Sequence, residues 1–274
     1  MIPVGLDNDG VSGEHDLRLT FDAAAAGYQS ARPDYPEQLY TDLLDLTGID
    51  GSAELLEIGC GPGKATLPLA RLGFSVTALE LGPALAEEAR RNLAIFPRVT
   101  VVNTAFERWQ PEPVDTLFDL AYAATAWEWI DPSTRYVHAA TVLQPGGYLA
   151  VWSAGHAFPA DFDPFFTEIQ QVYEDLGESP IPWPPPEPIP DTAIADEIQA
   201  SGHLQAVQIR QYLWSIRYDA EQYIALLNTF SGHIAMDPIK RDHLYEHIRD
   251  QLGRRPDGRL TRHWSATLTI GQKQ

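Results

Sequence analysis

Short apolar runs alternate with amphipathic stretches through the first half of this chain. Leu55, Leu56, Glu57 and Ile58 form a run too short for a helix, and it reads as a buried strand. It breaks at Gly59, Gly61 and Gly63. Thr66, Leu67, Leu69, Ala70 and Leu72 then recur at helical spacing as far as Gly73. The alternation continues with a second strand over 74–80, a helix opened by Pro83 and running through Ala94, and a β-branched third strand over 99–103. A fourth strand is expected over 117–123. Asp131 then caps a helix with Pro132 at its first position, reaching Leu143. Pro145, Gly146 and Gly147 make a turn before a fifth strand over 147–153. Ahead of all these, Pro36 starts a helix with Leu39, Leu43, Leu44 and Leu46 on one face, stopped by Gly48.

The second half is less regular. Residues 162–176 read as an amphipathic helix, and 180–190 carry seven prolines, which predicts an extended connector. A short helix over 193–200 ends at Gly202. Residues 204–214 and 261–270 alternate as strands do. Asp219 and Gln222 form a capping box ahead of Tyr223, Ile224, Leu227 and Phe230, and Asp237-Pro238 opens a helix reaching Leu252. Residues 1–20 lack periodicity and read as a mobile arm, followed by a short helix over 21–28. The expected organisation is one α/β domain over 21–274. Its core covers 50–155, and helical inserts over about 156–203 and 218–260 lie over the strand ends on the ligand side.

Composition narrows the function. The charge is −19 over 274 residues, so phosphate backbones and anionic membranes are repelled, and a small-molecule partner is the remaining default. No apolar run approaches the ~18 residues of a membrane span, and the polar first twenty residues do not read as a signal peptide. Cys60 is the single cysteine, which excludes an intrachain disulfide and points to a cytoplasmic, reducing compartment.

The chemistry gathers at the glycines. Their spacing is G-x-G-x-G, with Lys64 where a dinucleotide fingerprint places its third glycine. Glu57 stands just before them. A carboxylate there repels a pyrophosphate and suits a cation. Glu80 ends the second strand, and an acid at that offset accepts both hydroxyls of a ribose. Two alternatives follow from these residues: a positively charged adenosine ligand, or a glycine turn that only packs helix on strand.

E-x-G-C-G-x-G with an acid ending the second strand resembles the class I S-adenosylmethionine-dependent methyltransferases. The resemblance is strongest over about 20–155. It implies a Rossmann-like, doubly wound sheet of about seven mostly parallel strands, with helical inserts after strands five and six, and S-adenosyl-L-methionine as cofactor. It places Glu57, Gly59, Cys60, Gly61, Gly63, Glu80, Leu81 and Ala123 around that cofactor. Ala105 and Phe106 fall at the adenine, although Thr104 stands where the family often has Asp. The Y-x-x-x-R-P-x-Y-P element makes Tyr28 and Arg32 a lid, with Arg32 pairing the cofactor's carboxylate. Surface packing by Tyr28 and Tyr35 is the other reading of that element.

The family's A-x-x-W-H-W-x-D-P is present with Glu128 in place of His, which makes Trp127 an acceptor wall and Glu128 a candidate acid–base group. His156, just beyond the fifth strand, is a second base candidate. His243 and His247 share a helix face, but no third ligand is identifiable, so no metal is expected. The expected activity is in-line methyl transfer to a small molecule, mainly through positioning. A non-catalytic S-adenosylmethionine-binding regulator is the alternative, and an NAD-dependent oxidoreductase a more distant one. The acceptor and the oligomeric state are not legible.

Overall fold

The computed structural model describes residues 31–114, 116–178, 183 and 185–274. The expected arm, the helix over 21–28 and Tyr28 lie outside them. Among the described residues the strands form a seven-stranded sheet in the order β3-β2-β1-β4-β5-β7-β6. They are β1 Glu54–Ile58, β2 Ser75–Glu80, β3 Val99–Asn103, β4 Phe118–Ala124, β5 Leu143–Ala157, β6 Leu204–Asp219 and β7 Arg259–Lys273. The pairs β1/β2, β2/β3, β1/β4 and β4/β5 are parallel. The open, mostly parallel α/β sheet of the sequence reading is therefore present.

The chain divides into two compact units. The larger comprises 34–154, 190–212 and 266–274. It holds α1 Glu37–Thr47, α2 Thr66–Arg71, α3 Pro83–Leu93, α4 Arg135–Val142 and α6 Ala193–Ser201. Leu55, Leu56 and Ile58 are wholly buried, as a central strand covered on both faces requires. Leu56, Ile58, Leu79, Ala121, Ala123 and Val151 pack with Phe106, Trp127 and Leu143 in one core cluster. Burying a Leu or Ile side chain contributes ~1.5–3 kcal/mol, so this cluster is what holds the strands in register.

The smaller unit comprises 1–33, 155–189 and 213–265. It holds α5 Phe165–Asp175, α7 Ala220–Leu227, α8 Ser231–Ala235 and α9 Pro238–Gly253. The predicted capping box is formed: Asp219 accepts from the Gln222 N–H and Gln222 accepts from the Asp219 N–H. Asp237 caps α9 by accepting from Ile239 and Lys240. Asp163 ties this unit together, accepting two bonds from Arg255, at 2.8 and 3.1 Å, and one from the Thr261 N–H.

Several boundaries differ from expectation, and β5, β6 and β7 all run longer. Helix α4 starts at Arg135 rather than Pro132, because Asp131 accepts from the Ser133 N–H and hydroxyl and makes a local turn first. Strand β5 begins at Leu143 and runs through the expected turn. Gly147 permits this, since a Cβ there would stand 3.0 Å from the Phe118 carbonyl oxygen.

Candidate active site

The turn from β1 to α2 is built on left-handed backbone. Gly59, Gly61 and Gly63 have φ of 72°, 55° and 91°. Their surroundings separate them. A Cβ on Gly59 would meet the Ala126 Cβ at 2.6 Å, and one on Gly63 would meet Leu93 Cδ1 at 2.8 Å. A Cβ on Gly61 would meet nothing within 4 Å. Packing accounts for the first and third glycines; the middle one faces open space. The Cys60 N–H donates to the Leu79 carbonyl, and its buried thiol is pushed up by desolvation, which makes it inert.

Glu80, at the end of β2, accepts from the Gly61 N–H at 2.8 Å and the Gly82 N–H at 2.7 Å. Each oxygen takes one backbone donor, so the carboxylate fixes the glycine turn. Leu81 follows it, partly buried. Asn103 donates to the Glu80 and Leu81 carbonyls, which aligns the ends of β2 and β3. Ala105 and Phe106, just beyond β3, are buried.

Glu57 lies beneath the turn and is wholly buried. Its Oε2 accepts from the Thr66 hydroxyl at 2.5 Å and the Tyr122 hydroxyl at 2.9 Å. Its Oε1 has no partner. Desolvation outweighs the two hydrogen bonds and raises the carboxyl to about 7.

The end of β4 faces the same turn. Thr125 has φ 56°, an uncommon conformation for a β-branched residue. It is held by its N–H to the Trp152 carbonyl at 2.7 Å and by a side-chain bond to the Tyr35 hydroxyl at 2.7 Å. Tyr35 also stands edge-on to Trp152. Nearby, Lys64 pairs with Asp34 at 2.7 Å. The 33–36 turn is therefore tied to both the β1 and β4 loops. The R-P-x-Y-P signal pointed to this segment and to Tyr35, but the pairing of Lys64 with Asp34 and of Tyr35 with Thr125 was not legible in the sequence.

Trp127 is 1% exposed, with its indole donating to the Tyr136 hydroxyl. It borders a cavity of about 30 Å³ shared with Thr125, Glu128, Asp191 and Thr267. Glu128 is at the surface, yet partial desolvation and the nearby Asp191 raise its carboxyl. Ala123 is wholly buried in the core.

In the smaller unit, Arg32 donates to the Thr229 hydroxyl and carbonyl, at 2.8 and 3.0 Å, and lies over the Phe230 ring. His156 packs against Phe158 and Phe166, and burial holds it well below the usual imidazole range. The structure thus brings Glu57, the three glycines, Cys60, Glu80 and Ala123 together at the carboxyl ends of β1, β2 and β4. Arg32 and His156 are built into the other unit.

Residues 56–151 match the family model described as a methyltransferase domain. An uncharacterized methyltransferase of Mycobacterium bovis is 33% identical over 140 residues, covering 50% of this chain and 54% of the relative. Trans-aconitate 2-methyltransferase of an Enterobacter species is 31% identical over 117 residues, covering 40% and 42%. The chain thus spans about half the length of the curated relatives it matches. Among solved structures, phosphoethanolamine N-methyltransferase 2 of Haemonchus contortus, in complex with S-adenosyl-L-methionine, aligns with a TM-score of 0.54 at 15% identity. That alignment covers 98% of this chain and 62% of that one, a likeness of fold.

Proposed function

We propose, from the match of residues 56–151 to a methyltransferase-domain family, that the protein is a class I S-adenosylmethionine-dependent methyltransferase that transfers a methyl group to a small-molecule acceptor. The observation that carries this reading is Gly61. Its left-handed backbone is open where its neighbours are packed, and its N–H is aligned by the acid that ends β2. Such a turn accepts a ligand against its backbone.

The residues fit the cofactor. The orphaned Oε1 of Glu57 puts an ionisable acid beneath a site for a cationic ligand, and Glu80 ends β2 beside the glycine turn, the position from which an acid takes ribose hydroxyls. In this reading the backbone of Gly59, Cys60, Gly61 and Gly63 holds the methionine half, with Ala123 beside it. Glu80 and Leu81 hold the ribose, and Ala105 and Phe106 flank the adenine. S-adenosylmethionine, when bound, supplies an electrophilic methyl group on a good leaving group. The chain's own task is then to orient the acceptor and exclude water. Glu128 is the candidate to take a proton from a protonated acceptor. Trp127, on the same loop, is the candidate wall for the acceptor.

A small acceptor is supported by the relatives' names, trans-aconitate among them, and by the −19 charge, which disfavours nucleic acid and anionic membranes. A single cysteine supports a reducing, cytoplasmic setting. We read 21–274 as one functional methyltransferase domain, because the chain passes between the two units within β5, β6 and β7.

The test is release of S-adenosylhomocysteine from S-adenosylmethionine across organic acids, amines and phenols. Acceptor-dependent release is expected. No release with any acceptor, or hydride exchange with NAD, contradicts the proposal.

A further inference from the structure

Arg262 stands on β7 in phase with Leu260 and Trp264 and is 6% exposed. A guanidinium in that position has lost its hydration and needs a partner. Its Nε has none, and among the described residues no carboxylate forms a salt bridge with it. What surrounds it is aromatic. Its guanidinium carbon lies 4.5 Å from the Trp264 ring centroid and 5.3 Å from that of Phe230. The charge is supported by the hydroxyls of Tyr223 and Tyr218 and opposed by Arg32, which sits 4.1 Å over the same Phe230 ring. Ring contacts of this kind return only part of what burial of the cation removes.

Neighbouring polar groups are also unanswered. His156 Nε2 and His263 Nδ1 are buried without hydrogen-bond partners, and the Tyr218 hydroxyl stands beside the Trp264 indole N–H. His156 lies close enough to Arg262 for that charge to help keep it neutral. Guanidinium, hydroxyl and indole are all donors. The missing component is an acceptor carrying negative charge.

We propose that Arg262 anchors the carboxylate of an organic acid with an apolar body, bound within the smaller unit. This carboxylate site does not depend on the methyltransferase reading. Burial holds His156 and His233 in their neutral forms, so a dianionic phosphate is poorly matched. Phe230 and Trp264 supply an apolar wall for the body of the acid.

The experiment uses the full chain, with phenylacetate and its neutral isostere phenylacetamide as calorimetric probes. Phenylacetate is expected to bind at least about tenfold more tightly than the amide, a margin inorganic phosphate does not erase. Arg262→Met is expected to bind the two alike and to melt at or above the parent temperature, since the unpaired charge is gone. Arg262→Lys is expected to keep a reduced preference for the acid. Equal binding of acid and amide by the parent overturns the proposal. Melting of Arg262→Met well below the parent also overturns it, by assigning the residue to fold stability. Competitive displacement of phenylacetate by S-adenosylhomocysteine overturns it too, because the anchored carboxylate is then the cofactor's. Acid binding at Arg262 without turnover on any acceptor removes the methyltransferase reading and leaves the site. Turnover of neutral acceptors without acid preference does the reverse.

Discussion

Glu57 carries the largest electrostatic consequence at the scale of one residue. Its carboxyl sits at about 7 in the fold against 4.5 for an ordinary glutamate. The folded chain therefore holds a proton that the unfolded chain releases between those values. Stability from this group is full below about pH 4.5 and is lost as pH rises through 7, a decline of about 3 kcal/mol. Glu57→Gln is expected to flatten that decline, read as urea midpoints at pH 5 and pH 7.5; an unchanged slope contradicts the assignment. A cationic ligand above Glu57 favours its charged form. Cofactor binding near pH 7 should therefore release part of a proton in the parent and none in Glu57→Gln, as measured by calorimetry in two buffers of different ionisation heat. The position of Glu57 before the glycines was visible in the sequence. Its partners Thr66 and Tyr122 were not, because only the parallel pairing of β1 with β4 brings Tyr122 beside it. Arg262 was legible in principle, as a cation at an apolar phase of an alternating strand.

At the scale of the element, the glycine turn separates stability from binding. Gly59→Ala forces a Cβ against Ala126 in left-handed backbone and should cost the most stability, roughly 2–3 kcal/mol or more. Gly61→Ala meets open space and should cost only about 1–2 kcal/mol, yet weaken S-adenosylmethionine binding at least tenfold. Thermal melts and titrations of the two variants check this, and equal effects on affinity contradict it. Tyr35→Phe removes the bond that fixes strained Thr125 and should cost about 1 kcal/mol, by the same melts. The strands of the first half were readable almost to the residue, β3 at 99–103 among them, because buried parallel strands are short apolar runs with glycine or acidic ends. The extensions of β5, β6 and β7 were not. Their added residues alternate weakly, and a turn signal such as Pro145-Gly146-Gly147 is overridden by tertiary pairing. Trp127 and Trp129 alternate around Glu128 in a way that left their facing open, and the short 3-10 turn over Trp127–Trp129 put Trp127 in the core.

For the whole molecule, charge is the property that sequence settles without a structure. A −19 chain attracts the net positive S-adenosylmethionine and is indifferent to neutral S-adenosylhomocysteine. Raising ionic strength should therefore weaken the first a few-fold and leave the second unchanged. The division into two units was not legible, because it depends on which segments fold back together rather than on any local pattern. The central claim is that the glycine turn and Glu80 form an S-adenosylmethionine site. Calorimetric titration of the parent and Glu80→Ala with S-adenosylmethionine and with NAD tests it most directly. The account predicts that the parent binds S-adenosylmethionine and not NAD, and that Glu80→Ala loses roughly one to two decades of affinity while still unfolding cooperatively. Tighter binding of NAD, or unchanged S-adenosylmethionine affinity in Glu80→Ala, would contradict it.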